Sequence, residues 1–168
     1  MPGIRSLVRE CRGSSAAELA LILPLLLTMM FGALETGNYF MNEHTLVKAV
    51  RDGARFAARQ SFTNYAACSG SPGGTVVADT RNVVMRGYVS GGTIITPRIQ
   101  TSDVDVTTSC KTMAGGQTMS GIYTGRANGA QIVTVSASVD YVPIIGFFGI
   151  GLSGMELNAR SEAAVAGM

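Results

Sequence analysis

The chain has 168 residues, with 13 Lys and Arg against 11 Asp and Glu, a formal charge of +2, and 46% hydrophobic against only 14% charged residues. So small a positive excess gives no electrostatic footprint for nucleic acid. One His and three Cys supply no convincing ligand set for a catalytic or metal centre.

The excess of charge is confined to residues 1–13, a leader with Arg5, Arg9 and Arg12 against Glu10 and no apolar periodicity. Without it ten basic and ten acidic side chains remain, so the basic balance speaks of orientation and not of a polyanionic partner. The apolar run 14–34 follows directly. As a helix it spans roughly 30 Å, the thickness of a bilayer's hydrocarbon core. Arginines before the run, with Glu35 and Glu43 the first charges after it, predict a cytoplasmic N-terminus. An ordinary signal peptidase site is not expected, because Phe31 stands where a small residue is wanted and the run exceeds a usual signal core.

Two residues depart from a plain anchor. Glu18 puts a carboxylate at the start of the run, where it either snorkels to the headgroups or has a partner. Pro24 removes a backbone donor and predicts a helix kink, tolerated better in membrane helices than in soluble ones.

The string Arg12-Gly13-Ser14-Ser15-Ala16-Ala17-Glu18-Leu19-Ala20-Leu21-Ile22-Leu23-Pro24 resembles the opening of TadE-like proteins, pseudopilins of the tight adherence (Tad or Flp) pilus system. Glu35 followed by Gly37 fits the same pattern. The resemblance implies a prepilin peptidase cut between Gly13 and Ser14, which makes Glu18 the fifth mature residue. It also implies a pilin-like fold, and as partners the inner membrane lipid, the peptidase, other pilins and the pilus assembly platform. The length, and Leu19 in place of an aromatic after the Glu, point to a minor component. Cleavage would expose an α-amine, charged near neutral pH. Glu18 could pair with that amine in its own or a neighbouring chain and so set the axial register of subunits.

The helical pattern continues past the membrane, giving a long helix over 14–60 of roughly 70 Å. Phe40, Val47, Val50, Ala54 and Ala57 fall on one face. Arg51, Arg55 and Arg59 form an i, i+4 stripe opposite, either a solvated face or an interaction stripe for acidic neighbours or headgroups. His44 is isolated.

Residues 61–168 are expected to form a small extracytoplasmic α+β domain. A loop over 69–74 (Ser-Gly-Ser-Pro-Gly-Gly) precedes a second helix carrying Val76, Val77, Thr80, Val83, Val84, Gly87 and Tyr88, with its stop at Gly91-Gly92. Three alternating segments predict an antiparallel sheet: Val104, Val106 and Thr108; Val133 to Tyr141; and Leu157 to Val165. Between the last two, residues 142–152 are apolar but too short and too broken by Gly and Pro to cross a bilayer. They either tuck into the core or stay exposed for membrane or subunit contact, and partial exposure is the favoured expectation.

Cys11 falls in the leader, whereas Cys68 and Cys110 both fall outside the cytoplasm, where they are free to pair. Such a bridge closes a loop of about 43 residues, worth roughly 4 kcal/mol in the chain-entropy model. Asp103 and Asp105 point the same way on a strand, an arrangement commoner on a solvated face than at a cation site. There is no phosphate loop ending in Lys-Ser or Lys-Thr and no G-x-S-x-G, so neither an enzyme nor a cofactor is expected. The reading is a minor pilin or pseudopilin of the inner membrane. The alternatives are an uncleaved single-pass anchored binding or adhesin module, or a pseudopilin of another secretion system.

Overall fold

The computed structural model describes residues 12–112, 119–126, 128–148 and 154–167. The leader before residue 12, Cys11 included, and part of the apolar run, residues 149–152, lie outside them. Among the described residues the elements are α1 (Arg12–Ala58), α2 (Val76–Arg86), β1 (Val104–Lys111), β2 (Ala130–Asp140) and β3 (Glu156–Ala164), with short 3-10 turns in the connections. This is the expected α+β plan.

α1 is one helix of 47 residues with two chemically different halves. Its N-terminal half is largely exposed: Leu19, Leu21, Leu25, Leu26, Met29 and Leu34 all present apolar side chains to the surroundings. It is long and apolar enough to cross a membrane. Its C-terminal half is the spine of the domain, burying Leu46, Ala49, Val50, Ala54 and Ala57. The small residues there let two layers approach closely. At Gly53 an added Cβ would run into Val84 Cγ2 and meet Thr80 Cγ2 at 3.5 Å. α2 therefore packs backbone-close across this turn.

The expected apolar face of α1 is rotated by about one residue at its membrane end. Phe40 is 53% exposed and Val47 only half-buried, while Glu35, Tyr39, Leu46, Val50 and Ala57 form the inward line. Successive spacings of four and seven keep these five on one side of a 3.6-residue helix. Phe40 lies some 100° away, with its ring against the edge of Tyr39.

The end of α2 also differs from expectation. Gly87, at φ 76°, is the left-handed cap, and its N–H donates to the Val83 carbonyl at 2.8 Å. The helix stops there and not at Gly91-Gly92. A glycine without Cβ penalty at this position closes the last turn, so Tyr88 belongs to the loop.

The sheet is antiparallel in the order β1-β2-β3. The register pairs Val106 with Val135 and Val135 with Ser161, so the apolar alternates of all three strands share one face. That face, with Val104, Val133, Val139, Leu157 and Ala159 buried, packs on α1 and α2. The opposite face carries Asp105, Ser138, Asn158 and Arg160, all exposed. The alternation was a reliable guide because only one face is covered.

Candidate functional site

Gly13, Ser14 and Glu18 lie in the first two turns of α1. Glu18 is exposed and makes no hydrogen bond or ion pair among the described residues. With Gly13 joined to it, Ser14 has no α-amine, so the partner expected for Glu18 after cleavage is not present. Pro24 is inside α1, which remains helical on both sides. Thr28 Oγ1 donates to the Pro24 carbonyl at 2.7 Å. This bond adds to the backbone ladder one turn later, but it does not serve the Ala20 carbonyl, which loses its usual donor to the proline ring.

Directly beyond the apolar segment the structure brings together residues that the sequence places more than 100 positions apart. Glu35 is only 6% exposed. The Tyr141 hydroxyl donates to its Oε1 at 2.5 Å, and the Ile145 N–H donates to its Oε2 at 3.0 Å. Asn38 Nδ2 donates to the Tyr141 oxygen at 2.8 Å, and Asn42 Nδ2 reaches the Asn38 Oδ1 at 3.1 Å. The Tyr39 ring stands edge-on to Tyr141 with centroids 5.2 Å apart. Burial pushes the Tyr141 phenol up to about 12, reinforced by the carboxylate it bonds and opposed by the Asn38 donor. The hydroxyl is therefore a committed donor at neutral pH. A buried carboxylate with both oxygens occupied is well satisfied, and here it ties the β2–β3 connection to the helix at the edge of the apolar segment.

At the far end of α1 a second set of polar contacts secures the domain. The Tyr65 hydroxyl donates to the Ala57 carbonyl at 2.5 Å, and Gln131 Nε2 donates to the Tyr65 carbonyl at 2.7 Å. Cys68 and Cys110 form a disulfide with Cα atoms 5.0 Å apart. It joins the segment after α1 to the end of β1, where the Thr108 N–H also donates to the Gly70 carbonyl at 2.7 Å. The bridge expected from the cysteine positions is thus present.

Arg51, Arg55 and Arg59 are all exposed. The stripe is displayed to solvent, with one 3.9 Å contact from Arg55 to Asp52. His44 is exposed, and the described residues hold no metal-binding group of three His, Cys, Asp or Glu. Asp103 is a local cap: it accepts from the Gln100 N–H at 2.8 Å and from Ser102 Oγ at 3.0 Å. It also lines an open cleft of about 640 Å³ with Arg98, Ser138, Asp140 and Glu156. Of the apolar run 142–152, Val142 is 37% and Ile144 55% exposed, in accord with the expected partial exposure.

Sequence reasoning noted Glu35 but missed its partners. Tyr141 reads as the last residue of an alternating strand, and Asn38 as an ordinary helix residue. A carboxylate at the end of an apolar run, needing a donor, is the signal that could have prompted a search for one.

Residues 13–55 match the family model described as TadE-like protein. The match covers about a quarter of the chain and begins at Gly13, so it takes in the whole apolar segment, Glu35 and the Arg51 and Arg55 part of the stripe. No curated protein matches the chain, and no solved structure does.

Proposed function

We propose that this protein is a minor pilin or pseudopilin that takes part in assembling a Tad- or Flp-type adherence pilus. The observation that carries the reading is that the TadE-like match over residues 13–55 takes in an exposed apolar helix long enough to cross a membrane. A prepilin peptidase cuts between Gly13 and Ser14, and Glu18 then pairs with the new amine to fix the register of neighbouring subunits. The chain is inserted once in the bacterial inner membrane, with residues 1–13 cytoplasmic and the α+β domain outside. Its work is structural and not catalytic, carried out through helix packing against other pilins and the assembly platform. The disulfide supports this orientation, since such bridges persist in oxidising compartments.

The test is the N-terminal sequence of the protein recovered from membranes of cells with and without the cognate prepilin peptidase. A peptidase-dependent terminus at Ser14 is expected, and Glu18→Ala should then abolish piliation. An intact Met1, or trimming that does not need the peptidase, would overturn the processing route and favour an anchored binding module.

A further inference from the structure

The domain has two ends, fixed by its hydrogen bonds to α1. At the distal end Gln131 at the start of β2 bonds Tyr65, whose hydroxyl donates to the Ala57 carbonyl of α1, and the Ala166 N–H donates to the Ala58 carbonyl. At the other end Tyr141, just after β2, bonds Glu35. β1 starts and β3 starts at that same end, paired with the last part of β2. The connections leaving it are therefore the ones nearest the apolar half of α1.

Exposed large apolar side chains are not spread evenly over the domain. Outside α1, and among the described residues, there are eight, and seven of them lie in the connections before β1 and between β2 and β3. Ile122, at the distal end, is the exception. Val142 and Ile144 belong to the connection that a hydrogen bond ties to the end of the apolar segment. Ile145, their neighbour, donates its N–H to Glu35, one residue beyond Leu34. Residues 142–146 (Val-Pro-Ile-Ile-Gly) carry no charge, and exposed Asp140 and Glu156 flank them on the strands.

We propose that the 142–146 loop is a second membrane contact, which seats the domain on the outer surface of the bilayer that α1 crosses. The inference rests on α1 spanning the membrane and not on the pilus assignment. Its basis is continuity: Glu35 fixes the loop at the level where the apolar segment ends. Apolar side chains at that level enter the boundary between headgroups and acyl chains, about 5–10 Å deep. Asp140 and Glu156 limit the depth, because carboxylates stay in the headgroup layer. With Asp103 they outnumber Arg98 in the cleft they share, which leaves no positive excess to attract anionic lipid, so the contact is apolar and forms on zwitterionic lipid.

The chain has no Trp, so a single introduced Trp is a clean reporter. The full chain carrying Ile144→Trp, Ile122→Trp or Leu26→Trp is reconstituted at a low protein-to-lipid ratio in phosphatidylcholine vesicles. The lipids are brominated either near the carbonyl end or deep in the acyl chain. Ile144→Trp is expected to emit to the blue of Ile122→Trp and to lose more emission with shallow bromines than with deep ones. Leu26→Trp should be quenched most by deep bromines, and Ile122→Trp by neither. Unquenched Ile144→Trp beside a quenched Leu26→Trp would overturn the contact while leaving the span intact. An Ile144→Trp blue shift that grows with protein density, without quenching by bromine, would overturn it in favour of a second protein copy. Failure of Leu26→Trp to be quenched would remove the span itself, and the inference with it.

Discussion

Glu35→Ala removes the acceptors of two hydrogen bonds at once, from the Tyr141 hydroxyl and from the Ile145 N–H. Hydrogen bonds to charged groups contribute about 1.5–3 kcal/mol each, so the connection after β2 should lose roughly 3 kcal/mol of local stability. At 1.4 kcal/mol per factor of ten, the Ile145 amide should exchange about a hundredfold faster if both bonds hold the segment closed, and about tenfold faster if only its own does. Hydrogen exchange of the full chain in lipid nanodiscs reads this directly. The Val165 amide, bonded to the Gln131 carbonyl at 2.9 Å at the distal end, is the internal control. Glu35→Gln keeps one carbonyl acceptor and should fall between wild type and Ala. Tyr141→Phe combined with Glu35→Gln should cost less than the sum of the two single changes, because both act through one bond. Unchanged exchange at Ile145 in Glu35→Ala would refute the idea that this carboxylate holds the loop. An equal rise at Val165 would show global unfolding instead of local release.

Two further outcomes follow from packing and charge. Gly53→Ala forces a methyl against buried Val84 and should destabilise the domain by about 1–3 kcal/mol, seen as a lower thermal midpoint in detergent, whereas Ala at exposed Gly37, where nothing lies within 4 Å, should not. Burial raises the Tyr65 and Tyr141 phenols to about 12. Their folded values lie above the unfolded value of about 10, so their contribution is complete below pH 10 and is lost as pH climbs through about 12. A phenolate absorbance titration should show Tyr65 and Tyr141 ionising late and together with unfolding, and their loss from the late phase in Tyr65→Phe and Tyr141→Phe identifies them; absence of any late phase would contradict the burial argument.

What was legible in the sequence was what a short window can carry. The span shows as a run of apolar residues bounded by charges, the strands as strict alternation, because one face is covered and the other wet. Cys68 and Cys110 pair, as expected of two cysteines that both fall on the C-terminal side of the apolar run. The misses have physical causes too. Phe40 has the right chemistry for the buried stripe, but the helix phase is set by Leu46 and Tyr39 packing on the sheet, which no local pattern reveals. Gly87 falls at helical spacing with Val83 and Val84, although a glycine in the last turn is equally a cap. The Glu35–Tyr141 contact joins residues 106 positions apart, and neither is unusual in its own neighbourhood. The Gly13 and Glu18 motif lies the other way round: it is visible in the sequence, and the role proposed for it rests on a cleavage that the fold does not test.

Because α1 passes from the exposed apolar segment into the domain core as one helix, there is no swivel between the two. A helix advances about 1.5 Å and turns about 100° with each residue. Two copies whose spans slip by one residue against each other would therefore also point their domains in directions 100° apart. Any contact made along the apolar half of α1 would thus dictate the compass bearing of the domain.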